Sequence, residues 1–227
     1  MLFAILPALI YAYEYGPPPG SAGPPSDLTC GTPACHGNTS GAGSVAIAFP
    51  NGLQYVPGVK QHLIIKIDDP VQHRWGFQAT VRPAANPRSG EAGNFESADA
   101  NTQVVCQDDS PKTAGQPCNM NPNFQYVEHT TQGTRLGAPS PVTFEFDWTP
   151  DTTTTGDLLF YIAANAANGD GTNFGDHIYY TTVTLTQAAS STPTINSGGV
   201  VNGASFGSPI AEGSWVSILG TGLASGS

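Results

Sequence analysis

The stretch Trp75–Arg82, with the sequence WGFQATVR, decides the fold class. Its larger apolar residues recur at every second position, Trp75, Phe77, Ala79 and Val81. This period is typical of a β-strand that buries one face, because successive side chains point to opposite sides of a sheet. The stretch therefore predicts a strand packed against a hydrophobic core.

Six further segments have strand character and are separated by loops rich in Gly, Pro and Asn. They are Ser44–Phe49, Lys60–Asp68, Phe124–Thr130, Val142–Trp148, Leu158–Ala163 and Ile178–Thr186. No stretch has a helical period. Short strands joined by such loops predict an all-β fold, an antiparallel immunoglobulin-like β-sandwich with long loops.

The composition is that of an extracellular β-protein. Only 11% of the 227 residues are charged, and the net charge is −10 with seven Lys and Arg residues. So few cations argue against nucleic acid or an anionic membrane as a partner. The chain contains no zinc-protease motif or phosphate loop, so we do not expect an enzyme.

The N-terminal region predicts export. The apolar run Leu2–Tyr13 is too short to span a bilayer and fits the hydrophobic region of a secretory signal, so residues 1–15 are predicted to be a signal or leader segment. The alternative is a buried first strand. The Pro/Gly-rich stretch Gly16–Asp27 then predicts an extended leader, and no transmembrane helix is expected in the mature chain.

The stretch Cys30–His36, CGTPACH, suggests a cofactor. Two thiols followed by an imidazole resemble a c-type haem attachment site, with four residues between the cysteines instead of two. In such a site Cys30 and Cys35 form thioethers with the porphyrin, and His36 is the proximal ligand of the iron. The alternative is a disulfide between Cys30 and Cys35.

Two further cysteines lie in the stretch Pro83–Asn123, which we predict to be a long irregular insert. They are Cys106 and Cys118, in the segment CQDDSPKTAGQPC. An even number of cysteines in an exported chain favours a disulfide between them. A metal site is the alternative, but no His lies between the two cysteines.

The order of motifs resembles a bacterial family related to the Reeler domain, often called choice-of-anchor V. The resemblance covers roughly residues 14 to 187 and is carried by the segments YGPPPGSAGPPSDLTCGTPACHG, WGFQATVR, FQYVEHTTQGT and FYIAANAANGDGTNFGDHIY. It implies a Reeler-like β-sandwich over residues 16–188 of an exported bacterial protein. Many relatives carry a C-x-x-C-H motif after a Gly/Pro-rich leader.

The C-terminal part differs in composition. Residues 189–199 are predicted to be a linker, and residues 200–227 the start of a second β module. The tail NGASFGSPIAEGSWVSILGTGLA resembles the opening of an immunoglobulin-like module found in acidobacterial surface proteins.

A haem at Cys30–His36 needs a sixth ligand, and His129 is the first choice. It lies on a predicted strand in EHTTQGT, which resembles the family's own His-Thr pattern. The other candidates are His62, His73, His177 and Met120. The alternative interpretation of His129 is an exposed strand histidine that pairs with Glu128 or another neighbour.

The acidic loop Asn165–Asp176 offers four oxygen donors for Ca²⁺. They are Asn168, Asp170, Asn173 and Asp176, but their order is not that of an EF-hand. A turn held by Asx side chains is the default interpretation.

These observations predict an exported, cell-surface or extracellular β-sandwich with one covalent haem c, which serves electron transfer. A single haem would need a redox partner protein, or self-assembly through exposed strand edges. The competing hypothesis is a cofactor-free, Reeler-like adhesion or matrix module with two disulfides.

Overall fold

The computed structural model describes residues 13–33, 35–37, 39–88, 90–119, 121–189 and 193–223. The chain forms two compact units, residues 1–187 and residues 188–227. Most of the predicted signal segment, residues 1–12, lies outside the described residues. No helix in the described part of the chain is long and apolar enough to cross a membrane.

The described residues of the first unit form ten strands and one short 3-10 helix, Gln132–Thr134. The strands are β1 Ser44–Ala48, β2 Gln54–Tyr55, β3 Gln61–Asp68, β4 Arg74–Pro83, β5 Asn94–Ser97, β6 Thr102–Cys106, β7 Gln125–His129, β8 Val142–Thr149, β9 Leu158–Ala167 and β10 His177–Gln187. All seven predicted strands are present with small shifts of their ends. The prediction of an all-β fold is confirmed.

The strands form two sheets. A four-stranded sheet has the order β1-β3-β8-β5, and a six-stranded sheet has the order β2-β10-β9-β4-β7-β6. All pairs are antiparallel except the short pair of β2 and β10, which is parallel. This is the predicted antiparallel β-sandwich with long loops.

The inner faces of the two sheets meet in an aromatic core. Phe77 of β4 lies 4.7 Å from Phe144 of β8, measured between ring centroids. Trp148 of β8 packs edge to face on Phe160 of β9 at 5.2 Å, in the geometry that aromatic pairs prefer. The alternation that predicted β4 therefore identifies the residues that join the two layers.

The prediction of an irregular insert at Pro83–Asn123 is wrong, because β5 and β6 lie within it. β5 adds an edge to the four-stranded sheet, and β6 adds an edge to the six-stranded sheet. Cys106 at the end of β6 forms the predicted disulfide with Cys118, with 5.7 Å between their Cα atoms. The loop that this disulfide closes turns back along β6, where Pro111 bridges to Val105.

The second unit contains an antiparallel pair of strands, β11 Thr194–Asn202 and β12 Val216–Thr221. Strand β11 begins inside the predicted linker 189–199, which corrects that boundary. The Ser-Gly-Gly composition that suggested a linker coincides with an irregularity of the strand, because the register shifts between Ile195 and Val200. Gly198 has a positive φ there, which glycine adopts without steric cost.

Candidate functional site

The leader segment, residues 13–33, covers the outer face of the six-stranded sheet. Ser21 donates its backbone N–H to Gln78 Oε1 on β4 at 2.6 Å. Further along, Asp27 pairs with Arg82, the last of the buried polar side chains of β4. The expectation of a simply extended leader is incomplete, because the segment folds back on itself at an antiparallel bridge between Ala22 and Thr29.

Consecutive turns after the leader bring the residues of CGTPACH together. The backbone N–H of Cys35 donates to the Thr32 carbonyl at 2.9 Å, and that of His36 donates to the Cys30 carbonyl at 3.2 Å. These turns use the extra residues between the two cysteines. Cys30, Cys35 and His36 all line one cavity, so the four-residue spacing does not separate them.

Cys30 and Cys35 are both free thiols, so the disulfide of the competing hypothesis is not formed between them. Cys30 is buried against Ala163 and Ile178 on the outer face of the six-stranded sheet. This burial, together with the neighbouring Cys35, raises the pKa of the Cys30 thiol to about 12. Cys30 is therefore a neutral thiol at physiological pH and not a reactive thiolate.

His36 is held by the hairpin of β9 and β10. Its Nδ1 lies 2.7 Å from Oδ2 of Asp176, a carboxylate that is fully buried. The side-chain amide nitrogen of Asn165 lies 3.4 Å from Nδ1 and 3.3 Å from Nε2 of the same ring. The side chain of His36 is 11% exposed, so its hydrogen-bond partners and not solvent fix its orientation.

His129 lies at the end of β7, where that strand separates from β4. The two strands pair at only two positions, and beyond them His129 Nδ1 accepts a hydrogen bond from the backbone N–H of Phe77 at 3.1 Å. A Cβ atom at Gly76 would lie 2.7 Å from His129 Cε1, so the absence of a side chain at Gly76 makes room for the ring.

The expectation of an exposed His129 paired with Glu128 is wrong. His129 is 6% exposed, and Glu128 instead accepts hydrogen bonds from Gln78 and Gln103. Burial, with a smaller contribution from the charge of Arg74, lowers the pKa of His129 to about 4, although contacts with the backbone of Phe77 and Tyr13 act in the opposite direction. The ring is therefore a neutral imidazole at physiological pH, which is the form that binds metals.

One cavity of about 60 Å³ joins these groups. Cys30, Cys35, His36 and His129 line it together with Gly76, and its walls are mostly apolar. Five residues of the leader also line it: Tyr13, Glu14, Pro17, Pro18 and Ser21. Glu14 also pairs with Arg74 of β4 at 2.6 Å.

The other histidines lie elsewhere. His62 is on the exposed face of β3, between Glu145 and Asp147 of β8. Nδ1 of His177 lies 2.6 Å from Oδ2 of the buried Asp69. Neither of them lines the cavity, nor does His73. Met120 lies outside the described residues.

The acidic loop does not gather its donors around a common point. Asn168 and Asp170 instead accept hydrogen bonds from the backbone N–H groups of Asp170 and Thr172, as in Asx turns. Asp176 turns inward to His36. These contacts fit the default interpretation of the loop as turns held by Asx side chains.

Three residues of the site were not recognised from the sequence. Asp176 was counted among the possible Ca²⁺ ligands, although it is the partner of His36. Asn165 and Gly76 carried no signal in the sequence, because their roles depend on residues more than fifty positions away. The one available signal for Asp176 was its place directly before β10, in the segment FYIAANAANGDGTNFGDHIY that carries part of the family resemblance.

No protein-family model matches the chain, and no curated protein matches it significantly. Solved structures with a similar fold include the Reeler domain of human F-spondin, at 15% identity and a TM-score of 0.39, over 66% of this chain and 94% of that one. A cohesin module from a Clostridium perfringens family 33 glycoside hydrolase has 12% identity and a TM-score of 0.41, over 65% of this chain and 98% of that one.

The bacterial hydrophobin BslA is similar at 11% identity and a TM-score of 0.31, over 67% of this chain and all of that one. These identities and TM-scores are low, so the likenesses concern the sandwich fold and carry no statement about function or partner. No family model supports the expected resemblance of the tail to an acidobacterial module.

Proposed function

We propose that the chain is an exported β-sandwich protein that binds one c-type haem at the leader-covered cavity and serves electron transfer. The observation that carries this proposal is the convergence of two free thiols and two imidazoles on one apolar cavity. Cys30 and Cys35 remain unpaired although the same chain forms a disulfide at Cys106 and Cys118. Unpaired thiols are unusual in exported proteins, so they point to another use.

The donor chemistry of the cavity fits haem better than a bare ion. Cys30, Cys35, His36 and His129 are the residue types of a zinc site, but no three or more His, Cys, Asp or Glu side chains of the described residues are grouped closely enough to hold a bare ion. Two imidazoles are enough for an iron whose other donors come from a porphyrin. Thioether bonds carry no charge, which suits the buried Cys30. The enclosed volume of about 60 Å³ holds only a few water molecules, so attachment requires the leader to lie farther from the sheet.

Each residue then has a definite task. Cys30 and Cys35 would anchor the group, and the imidazoles of His36 and His129 would bind its iron. A bound haem supplies a centre that accepts and releases one electron. Two imidazole ligands favour a lower reduction potential than one imidazole and one thioether. The apolar walls exclude water, which also tunes the potential.

The setting of the molecule supports export and a protein partner. A disulfide persists in oxidising compartments outside the cytosol, and the net charge of −10 disfavours nucleic acid. We expect no catalytic activity, and electrons would pass to a redox partner protein or to a further copy of the chain.

The test is haem attachment on export. The chain, exported by a bacterium that has the haem-attachment machinery, is expected to be red and to gain the mass of one haem. Its Soret absorption should survive extraction with acidified acetone, because a covalent haem cannot be extracted. The double variant Cys30→Ser/Cys35→Ser should lose the covalent haem. A colourless wild-type protein would reject the proposal.

A second candidate is a cofactor-free extracellular module. It is favoured by the small volume of the cavity and by the internal hydrogen bonds of His36 and His129. A colourless, folded protein with two titratable thiols would support this candidate. It would have one disulfide and not two, since Cys30 and Cys35 are free.

A further inference from the structure

The carboxylate of Asp176 has an unusual environment. It is fully buried, and one of its oxygens, Oδ1, accepts the backbone N–H of Asn168 at 3.2 Å. The other, Oδ2, lies 2.7 Å from His36 Nδ1. The carboxylate is therefore held at both oxygens, and it cannot turn away from the imidazole without breaking the bond to the loop backbone.

Asp176 has no Lys or Arg partner among the described residues, and its one ion pair is with His36. A buried carboxylate is costly unless it is paired and hydrogen-bonded. Its stabilisation therefore comes from hydrogen bonds, and the contact with the imidazole is the shortest of them. Asn165 adds a weak contact at 3.4 Å to the same oxygen, which lowers the cost but supplies no positive charge.

The geometry also selects the nitrogen that stays available. Asn165 lies almost equally far from both ring nitrogens of His36, so it does not distinguish them. Asp176 contacts Nδ1 only. A carboxylate at Nδ1 favours the tautomer with the proton on Nδ1 and leaves the lone pair on Nε2 for a metal.

We infer that Asp176 is a positioning residue that fixes the tautomer of His36 and strengthens it as an electron donor to the iron. This inference rests on the proposed function. A carboxylate bound to the far nitrogen of a ligating imidazole raises the basicity of that ligand. It thereby stabilises the oxidised iron more than the reduced iron, so the reduction potential is lower than it would be without Asp176.

The test compares Asp176→Asn with Asp170→Asn by redox titration of the haem-loaded protein. Asparagine keeps the shape and can still accept the Asn168 N–H, but it lacks the charge at His36. We expect a more positive potential for Asp176→Asn. Asp170 is an exposed residue of the same loop that does not contact His36. Asp170→Asn removes the same charge as Asp176→Asn, and it should leave the potential nearly unchanged.

A second measurement does not depend on haem. In the haem-free Cys30→Ser/Cys35→Ser protein, nitrogen NMR at mildly alkaline pH should find the His36 proton on Nδ1. Asp176→Asn in that background should give a mixture of tautomers. Equal potentials in the two haem-loaded variants, or an unchanged tautomer, would overturn the inference. A colourless wild type would instead reject the proposed function itself, and the inference with it.

Discussion

The outer faces of the two sheets differ in what covers them. In the four-stranded sheet, β3 and β8 alternate between buried and exposed residues, and the outward side chains of Lys60 and His62 reach solvent. In the six-stranded sheet, β4 and β7 are buried on both faces, because the leader lies on the outside. Polar residues such as Gln78 and Arg82 are thus fully buried there.

This difference determines how polar side chains are paired on the two outer faces. On the open face, charged side chains are paired in water, where ion pairs contribute little. Under the leader, buried polar groups find most of their partners within the protein, as Gln78 does with Ser21 and Glu128. At one end of the short ladder between β4 and β7, His129 Nδ1 accepts the backbone N–H of Phe77, and beyond the other end Glu91 Oε1 accepts that of Val81. The end at His129 borders the cavity.

The largest expected effect of the leader on one face and its absence on the other is on the free energy that an ion pair contributes to folding. Arg82→Met leaves the nearly buried Asp27 without its cation and removes the guanidinium that lies 3.4 Å from the ring centroid of Phe124. Loss of one partner of a buried pair costs about 3–5 kcal/mol. Lys60→Met on the open face breaks pairs with Glu96 and Asp147, which are partly exposed, and should cost less than about 1 kcal/mol.

Urea unfolding of the two variants measures both costs. Equal losses would contradict the comparison, because they would mean that the leader does not shield Arg82 from water in solution. A large loss for Arg82→Met with unchanged cooperativity would support a leader that folds together with the sheet.

The next largest effect on stability is expected from the disulfide at β6, the edge strand of the six-stranded sheet. Strand β6 ends at Cys106, whose disulfide closes a loop over a sequence separation of 12 residues. In the chain-entropy model, such a crosslink contributes about 3 kcal/mol to the free energy of unfolding. Cys106→Ala/Cys118→Ala should therefore lower that free energy by about 3 kcal/mol in urea titrations. The matched Cys30→Ala/Cys35→Ala variant, compared with wild type in the haem-free form, breaks no crosslink and should lose less. An unchanged free energy of unfolding in Cys106→Ala/Cys118→Ala would contradict the assignment of the disulfide.

Alternation in the sequence predicted the inner faces correctly but not the outer ones. The period of β4 identifies Trp75 and Phe77 as core residues, whatever covers the other face. The burial of Arg82 depends on Asp27, which lies 55 positions earlier, and no local pattern contains that information. Strands β5 and β6 were missed because they are short and lie among turn-forming residues.

The candidate site was predicted in its donors but not in its surroundings. The motif Cys30–His36 is local, so its residue types were enough to suggest it. The burial of His129 requires a glycine on a neighbouring strand, and the role of Asp176 requires a hairpin that brings it back to His36. These contacts between distant residues arise from sheet register, which the sequence does not reveal directly.

The pH dependence of stability should also differ between the two faces. Burial raises the pKa of Glu91 from 4.5 to about 7, although Arg82 and several backbone N–H groups lower it. Between these values the folded protein keeps a proton that the unfolded chain releases, so this contribution to stability falls as the pH rises from 4.5 to 7. The full change is about 3 kcal/mol, because one pKa unit corresponds to about 1.4 kcal/mol.

Urea unfolding over this pH range should show the decline in the wild type and a flatter profile in Glu91→Gln. The exposed Glu145→Gln variant is the control and should keep the wild-type slope. An unchanged slope in Glu91→Gln would show that Glu91 is ionised in the folded state at all these pH values.

The smallest expected effect is at His62 on the open face. Hydrogen bonds to Asp147 and, more weakly, to Glu145 raise the pKa of His62 above 6.5. The stabilisation is present below pH 6.5, where the ring is charged in both states, and it is lost as the pH rises through the raised pKa. Because 44% of the side chain is exposed, solvent screens the pair and the loss in His62→Gln at acidic pH should be well below about 1 kcal/mol. Thermal unfolding at mildly acidic and mildly alkaline pH measures it, and a loss as large as that of Arg82→Met would mean that the outer face of β3 is covered in solution.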